Sequence, residues 1–163
     1  MNKKFSIFVT GLSLATFCAT VVAEPLPKSG SINLHSGYWD VEAATTVADK
    51  HMQGHGSSRG VAFNDKGAGP LHLGPTDCFY AFFAINDKPK NKGYCTFGDA
   101  DGDRIFTDFS GSATPDGYFQ GMHEIVGGTG KYTGIQGSGQ WKCKYASPNG
   151  EEQCTQRFDY KLP

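Results

Sequence analysis

The chain has 163 residues, a formal net charge of −1 at neutral pH, 22 glycines, 13% aromatic residues and five cysteines. That length fits one domain. The near-neutral balance, without a basic stripe or polybasic run, excludes charge-driven recognition of nucleic acid or of an anionic membrane surface.

Lys3 and Lys4 precede an apolar stretch from Phe5 to about Val22, and the small residues of Val21-Val22-Ala23 stand just before Glu24-Pro25. This is the pattern of a secretory signal peptide cut after Ala23. The stretch is long enough for a membrane anchor, but the small-residue exit and Pro25 and Pro27 favour cleavage. Cys18 invites a lipoprotein reading, which Phe17 beside it does not fit. The expected layout is a signal peptide over 1–23 and one domain over 24–163, with 24–30 flexible. No later apolar run is long enough to span a bilayer, so the mature protein is expected to be soluble and periplasmic or extracellular.

Beyond the leader, long helical patterns are absent and short β-rich runs alternate with turn sequences. Tyr38-Trp39 opens the first confident core contact. Val41-Glu42-Ala43-Ala44 reads either as strand or as the start of a short helix, while Thr45-Thr46-Val47 and Gly60-Val61-Ala62-Phe63 look like strand pieces. Residues 78–85 are continuously apolar, as in a strand covered on both faces. Five turns follow, at 86–91, 99–103, 114–117, 127–130 and 147–150. The strongest is Thr114-Pro115-Asp116-Gly117, where proline presets φ and glycine accepts φ > 0. Consecutive hairpins make a meander. A meander of about eight strands removes its edges most simply by closing into an antiparallel up-and-down β-barrel, the all-β fold expected here.

The cysteines test this register. Cys78 and Cys95 lie symmetrically about the turn at 86–91, and Cys143 and Cys154 about the turn at 147–150. Residues directly opposite in a hairpin are about 4.5–5.5 Å apart at Cα, within disulfide reach. An even cysteine count in an exported chain reads as disulfides rather than zinc, since no Cys-x-x-Cys pair exists. The expected bridges are Cys78–Cys95 and Cys143–Cys154.

Residues 125–139, Ile-Val-Gly-Gly-Thr-Gly-Lys-Tyr-Thr-Gly-Ile-Gln-Gly-Ser-Gly, resemble the hairpin shared by allene oxide cyclases, plant dirigent proteins and their bacterial barrel relatives. Residues 94–103 and 60–65 resemble stretches of small exported bacterial members of that superfamily, whose function is uncharacterised. The resemblance implies an eight-stranded antiparallel barrel with an internal pocket. It transfers no catalytic residue to a numbered position in this chain.

Several constellations suggest chemistry. Gly127-Gly128-Thr129-Gly130-Lys131 fails the phosphate-loop pattern at Ile125 and Tyr132 and precedes a strand, so it reads as a turn. Asp99, Asp101 and Asp103 alternate as calcium ligands do, but Arg104 and Ser110 stand where an EF-hand needs glycine and glutamate. Capping of a hairpin turn is the alternative. His51 and His55 would share one metal on a helix; on a strand about 13 Å separates them. His123 and Glu124 point to opposite faces of a strand. If His123 faces inward with Gly121 and Ile125, it offers a polar group titrating near neutrality. Arg104 and Asp108 share a face and allow an interior charge pair, structural or catalytic. No nucleophile elbow occurs.

His123, Arg104 and Asp108 are therefore the weak catalytic candidates. The pocket candidates are Tyr38, Trp39, Phe82, Tyr94, Phe106, His123 and Trp141, chosen as large aromatic or polar strand residues. The leading expectation is a barrel that binds a small apolar or aromatic molecule, without a cofactor. A cofactor-free cyclase or isomerase is the second, and a protein-binding module using barrel loops is the third, favoured if the interior is filled. The oligomeric state is open.

Overall fold

Strand alternation dictates the architecture. Ile32, Leu34, Ser36, Tyr38 and Asp40 are buried while the residues between them are exposed, and Cys154, Gln156, Phe158 and Tyr160 repeat the pattern at the other end of the chain. Period-two burial of this kind places one face of each strand inward and leaves the other to solvent. The computed structural model describes residues 26–163, so the signal-peptide and Cys18 expectations lie outside the described residues.

The strands are β1 (Ser29–Ala48), β2 (His51–Asn64), β3 (Gly74–Ile85), β4 (Lys88–Gly98), β5 (Arg104–Ala113), β6 (Phe119–Gly128), β7 (Gln136–Tyr145) and β8 (Glu151–Lys161). They pair in chain order as a closed antiparallel barrel, and β8 returns to β1 with Ser29 opposite Lys161 and Trp39 opposite Glu151. Closure leaves no unpaired sheet edge. A 3-10 turn, Gly130–Tyr132, interrupts the β6–β7 connection.

Both expected disulfides are present. Cys78 faces Cys95 across β3–β4 and Cys143 faces Cys154 across β7–β8, each pair with Cα atoms 4.1 Å apart. All four cysteines point inward. The bridges fit an oxidising compartment, and among the described residues no helix is long and apolar enough to cross a membrane.

The two barrel ends differ. At one end the β2–β3, β4–β5 and β6–β7 connections fold together over the lumen. Asp99 accepts hydrogen bonds there from Tyr132 Oη at 2.6 Å and from the Leu71 amide at 3.2 Å, and ion-pairs with Lys131 at 2.9 Å. Burial opposes the Asp99 charge, but the Tyr132 hydroxyl and the Lys131 ammonium outweigh it and hold the carboxyl below its ordinary value. Leu71, Phe97, Ile105, Tyr132 and Phe158 fill this closed end and are fully buried. The other end, formed by the β1–β2, β3–β4, β5–β6 and β7–β8 hairpins, is open.

One local choice that the sequence leaves open is settled, and two expectations are corrected. Residues 41–44 are strand, because each pairs in register with β2, Val41 with Ser57 through Ala44 with Gly54. The outer face of β3 is bare: Phe79, Phe83 and Ile85 are exposed, so its continuous hydrophobicity does not signal two covered faces. The core begins at Ile32 and Leu34, ahead of Tyr38. At the start of β1, Ser29 and Gly30 pair with Lys161 and Tyr160.

Candidate functional site

The open end holds a cavity of about 230 Å³. Its floor is aromatic. Phe109 and Trp141 meet edge to face with ring centroids 5.6 Å apart, and His123 lies 5.5 Å from Phe97 and 5.4 Å from Phe158. Both disulfides form part of the wall, and Tyr80, Phe82 and Phe119 line it higher up.

Glycines keep this lumen from filling. A Cβ on Gly111 would lie 2.2 Å from Trp141 Cζ2, one on Gly56 would lie 2.6 Å from Tyr80 Cζ, and one on Gly54 would lie 2.4 Å from Phe82 Cζ. Gly56 and Gly54 are the direct cross-strand partners of Tyr80 and Phe82. Each ring therefore lies flat against glycine backbone on the wall, which leaves the centre open.

The polar groups are unevenly distributed. Near the floor, Ser36 donates to Gln156 Oε1 at 3.0 Å, and Gln156 Nε2 donates to Tyr38 Oη at 3.1 Å. His123 Nδ1 and Thr107 Oγ1 are 3.0 Å apart. Nearer the mouth, Asp40 and Glu42 on β1 and Glu152 on β8 face the cavity. Glu42 Oε1 accepts from Tyr80 Oη at 2.7 Å and from Tyr145 Oη at 3.1 Å, and Tyr80 reaches it by crossing Gly56. Glu152 is directly opposite Tyr38 on one side and Tyr145 on the other.

Charges crowded into a half-buried site shift its acids. Burial, reinforced by the charges of Asp40 and Glu42, pushes the Glu152 carboxyl up to about 8. Burial likewise raises Asp40. Burial lowers His123 to about 3, so its imidazole is neutral at physiological pH and does not titrate near neutrality as the sequence suggested. Three polar atoms of the wall are buried without a hydrogen-bond partner among the described residues: Asp40 Oδ1, Asn91 Oδ1 and Trp141 Nε1. Orphaned groups of this kind are rare in folded proteins.

Of the residues singled out from sequence, the cavity brings together Tyr38, Phe82, His123 and Trp141. Trp39 and Tyr94 are instead 52% and 62% exposed on the outer surface, because they alternate with inward Tyr38 and Cys95. Phe106 and Asp108 alternate with inward Ile105, Thr107 and Phe109, and Arg104 is exposed at the start of the strand. The interior Arg104–Asp108 pair is thereby ruled out: both side chains project from the outer face. Asp99, Asp101 and Asp103 surround Lys131, whose Nζ lies 2.9 Å from Asp99 and 2.6 Å from Asp101 and whose amide donates to Asp103. An ammonium group holds the place offered to calcium. His51 and His55 lie on strand β2, not on a helix. Elsewhere, ligand atoms of Cys143, Glu152 and Cys154 lie within 4.8 Å of one another, but both sulfurs belong to a disulfide and are not the thiolates that bind metal.

Asp40, Glu42, Tyr80, Asn91, Tyr145 and Glu152 were not among the sequence candidates, although a signal for them exists. Each stands an even number of residues from an inward cysteine or from Tyr38 on its own strand.

No protein-family model matches the chain, and no curated protein sequence does. Among solved structures, the fold is similar to that of the pterocarpan synthase dirigent protein GePTS1, with a TM-score of 0.51 and 14% sequence identity over 91% of this chain and all of that one. At that identity the likeness establishes the dirigent-like barrel fold alone.

Proposed function

We propose that this chain is an exported barrel, released by cleavage after Ala23, that takes one small molecule with an aromatic or apolar body into its open end. The cavity of about 230 Å³ carries the reading. It is larger than the roughly 150 Å³ apolar cavity that accommodates benzene. It is lined by aromatic rings and has polar atoms left without partners, which is the composition of a ligand pocket. An open lumen also removes the motive for a role confined to the barrel loops.

The test is native mass spectrometry of the protein purified gently from an exporting host. The expected result is a reproducible added mass, lost on denaturation. A bare polypeptide mass, from an otherwise folded and doubly disulfide-bonded protein, together with failure to take up any small aromatic compound, would overturn the reading.

One observation favours a second reading, a cofactor-free cyclase or isomerase. Glu152 keeps its proton up to about pH 8 inside the pocket, the state a general acid requires. The similar structure belongs to a protein named as a pterocarpan synthase. A closed aromatic wall that shapes a reactive substrate, plus one acid, needs no cofactor. Turnover of a bound compound, abolished in Glu152→Gln while binding persists, distinguishes this reading from a carrier.

A further inference from the structure

The wall of the mouth cavity has acceptors and negative charge but no cationic side chain. Asp40 and Glu42 come from β1 and Glu152 from β8, and neither lysine nor arginine among the described residues lines the space. The other titratable groups facing it are His123 on β6, which is neutral, and the hydroxyls of Tyr38, Tyr80 and Tyr145, which supply no positive charge. Asp40 is only 8% exposed, and its Oδ1 meets no donor at hydrogen-bond geometry among the described residues, although the hydroxyls of Ser58, Tyr145 and Tyr80 stand near enough to offset part of the burial of its carboxyl. Asn91 Oδ1, on β4, is a second acceptor in the same state. Glu42 differs, since two tyrosine hydroxyls already occupy it.

These observations specify a ligand chemistry. Buried acceptors without donors are costly, and a ligand bearing N–H groups relieves that cost. Carboxyl groups held close together resist ionisation, and a cation between them removes the repulsion. The faces of Tyr80, Phe82, Phe109 and Trp141 attract both a cation and a flat apolar body. A hard metal ion suits the site poorly, because it needs about six to eight oxygen ligands and this wall is mostly ring.

We propose that the mouth cavity is a binding site for a small organic cation, a primary ammonium on an aromatic body. The ammonium donates to Asp40 Oδ1 and takes its counter-charge from Asp40 and from Glu152, which gives up its proton to solvent as the cation binds. The ring lies among Phe82, Phe109 and Trp141. This deepens the pocket reading above and rests on it.

Three probes test it: 2-phenylethylamine, 2-phenylethanol and 3-phenylpropionate. They share a ring and a short chain and differ in charge. Each is titrated into the disulfide-bonded protein by calorimetry. The expected result is that the amine binds at least about tenfold more tightly than the alcohol, with the propionate weakest. In Asp40→Asn and in Glu152→Gln, the preference for amine over alcohol falls to about unity. Glu152→Gln, nearer the rim, serves if Asp40→Asn does not fold. Equal binding of alcohol and amine, or tightest binding of the propionate, overturns the cation proposal and leaves the pocket reading standing. An amine preference that survives both substitutions also overturns it. Failure of all three probes overturns the cation proposal, and the pocket reading falls with it only if the gently purified protein also shows a bare polypeptide mass.

Discussion

Trp141 lies against Gly111 so closely that a Cβ on the glycine would sit 2.2 Å from the indole Cζ2. The indole therefore has its position only because residue 111 has no side chain, and the cavity has its width only because the indole stays against the wall.

Gly111→Ala is expected to push Trp141 into the lumen or to strain the β5–β6 ladder, since Gln120 O would lie 2.7 Å from the same Cβ. Overpacking of this kind costs about 1–3 kcal/mol. Urea unfolding followed by near-ultraviolet circular dichroism reads both effects. Unchanged stability with an unchanged aromatic signal would show that the ring moves freely and that the glycine is not what keeps the lumen open.

The disulfides close short loops, with sequence separations of 17 for Cys78–Cys95 and 11 for Cys143–Cys154. Loops of that size stabilise by about 3 kcal/mol each in the chain-entropy model. Replacing either pair by alanines should lower stability by about 2–4 kcal/mol. It should also enlarge the cavity, because all four sulfurs belong to its wall. Thermal melts of each double variant check the first effect. A loss well under about 1 kcal/mol would mean that barrel closure alone sets the register.

Glu152 makes stability depend on pH in a definite direction. Its folded-state carboxyl titrates at about 8, above the ordinary glutamate value of 4.5, so the folded chain binds more protons than the unfolded chain between those values. Its contribution to stability then falls as pH rises through that window, with a limiting slope of about 1.4 kcal/mol per pH unit for one proton. Asp99, with its carboxyl lowered, acts only at more acidic pH, but His123, lowered from 6.5 to about 3, contributes the opposite slope below about pH 6.5, so the Glu152 effect stands clear only above that value. Urea titrations at intervals from about pH 6.5 to about pH 8 should show the fall in the wild type and a flatter profile in Glu152→Gln. Parallel profiles would place the titration elsewhere.

At the closed end the sign reverses. Asp99 is charged in the folded state and accepts from Tyr132 and Leu71 while facing Lys131. Its contribution is present above the unfolded carboxylate value and disappears as pH falls through the lowered one. Asp99→Asn should cost about 1–3 kcal/mol, because the buried Tyr132 hydroxyl and Leu71 amide lose a charged acceptor while Lys131 keeps Asp101. It should also flatten the acid limb of the stability curve below about pH 4. A variant as stable as the wild type would show that the three loops pack independently of this carboxyl.

His123 should not titrate in the physiological range, since burial lowers it to about 3. Its imidazole proton resonances are expected to stay fixed between about pH 5 and pH 8. A midpoint near the ordinary histidine value would mean that water reaches the cavity floor.

Local chemistry alone determined the hairpins from β3 to β8 and both disulfides, while the extent of β1 and β2 stayed open. Turn residues mark where a chain reverses, and cysteines placed symmetrically about a reversal can only meet across it. What local chemistry did not decide was which face of each strand turns inward. A period of two leaves two equivalent choices per strand, and a large aromatic residue fits either an inner or an outer surface. Tyr38 and Trp39 are sequence neighbours of similar character, and one borders the cavity while the other faces solvent. The Arg104–Asp108 pairing was correctly assigned to one face, and that face is the outer one. Only closure of the barrel sets the parity, because it requires the inward residues of all eight strands to fit one lumen. Closure also brings Asp40, from the first strand, and Glu152, from the last, into one cavity, a proximity that strands so far apart in the chain acquire only when β8 pairs with β1.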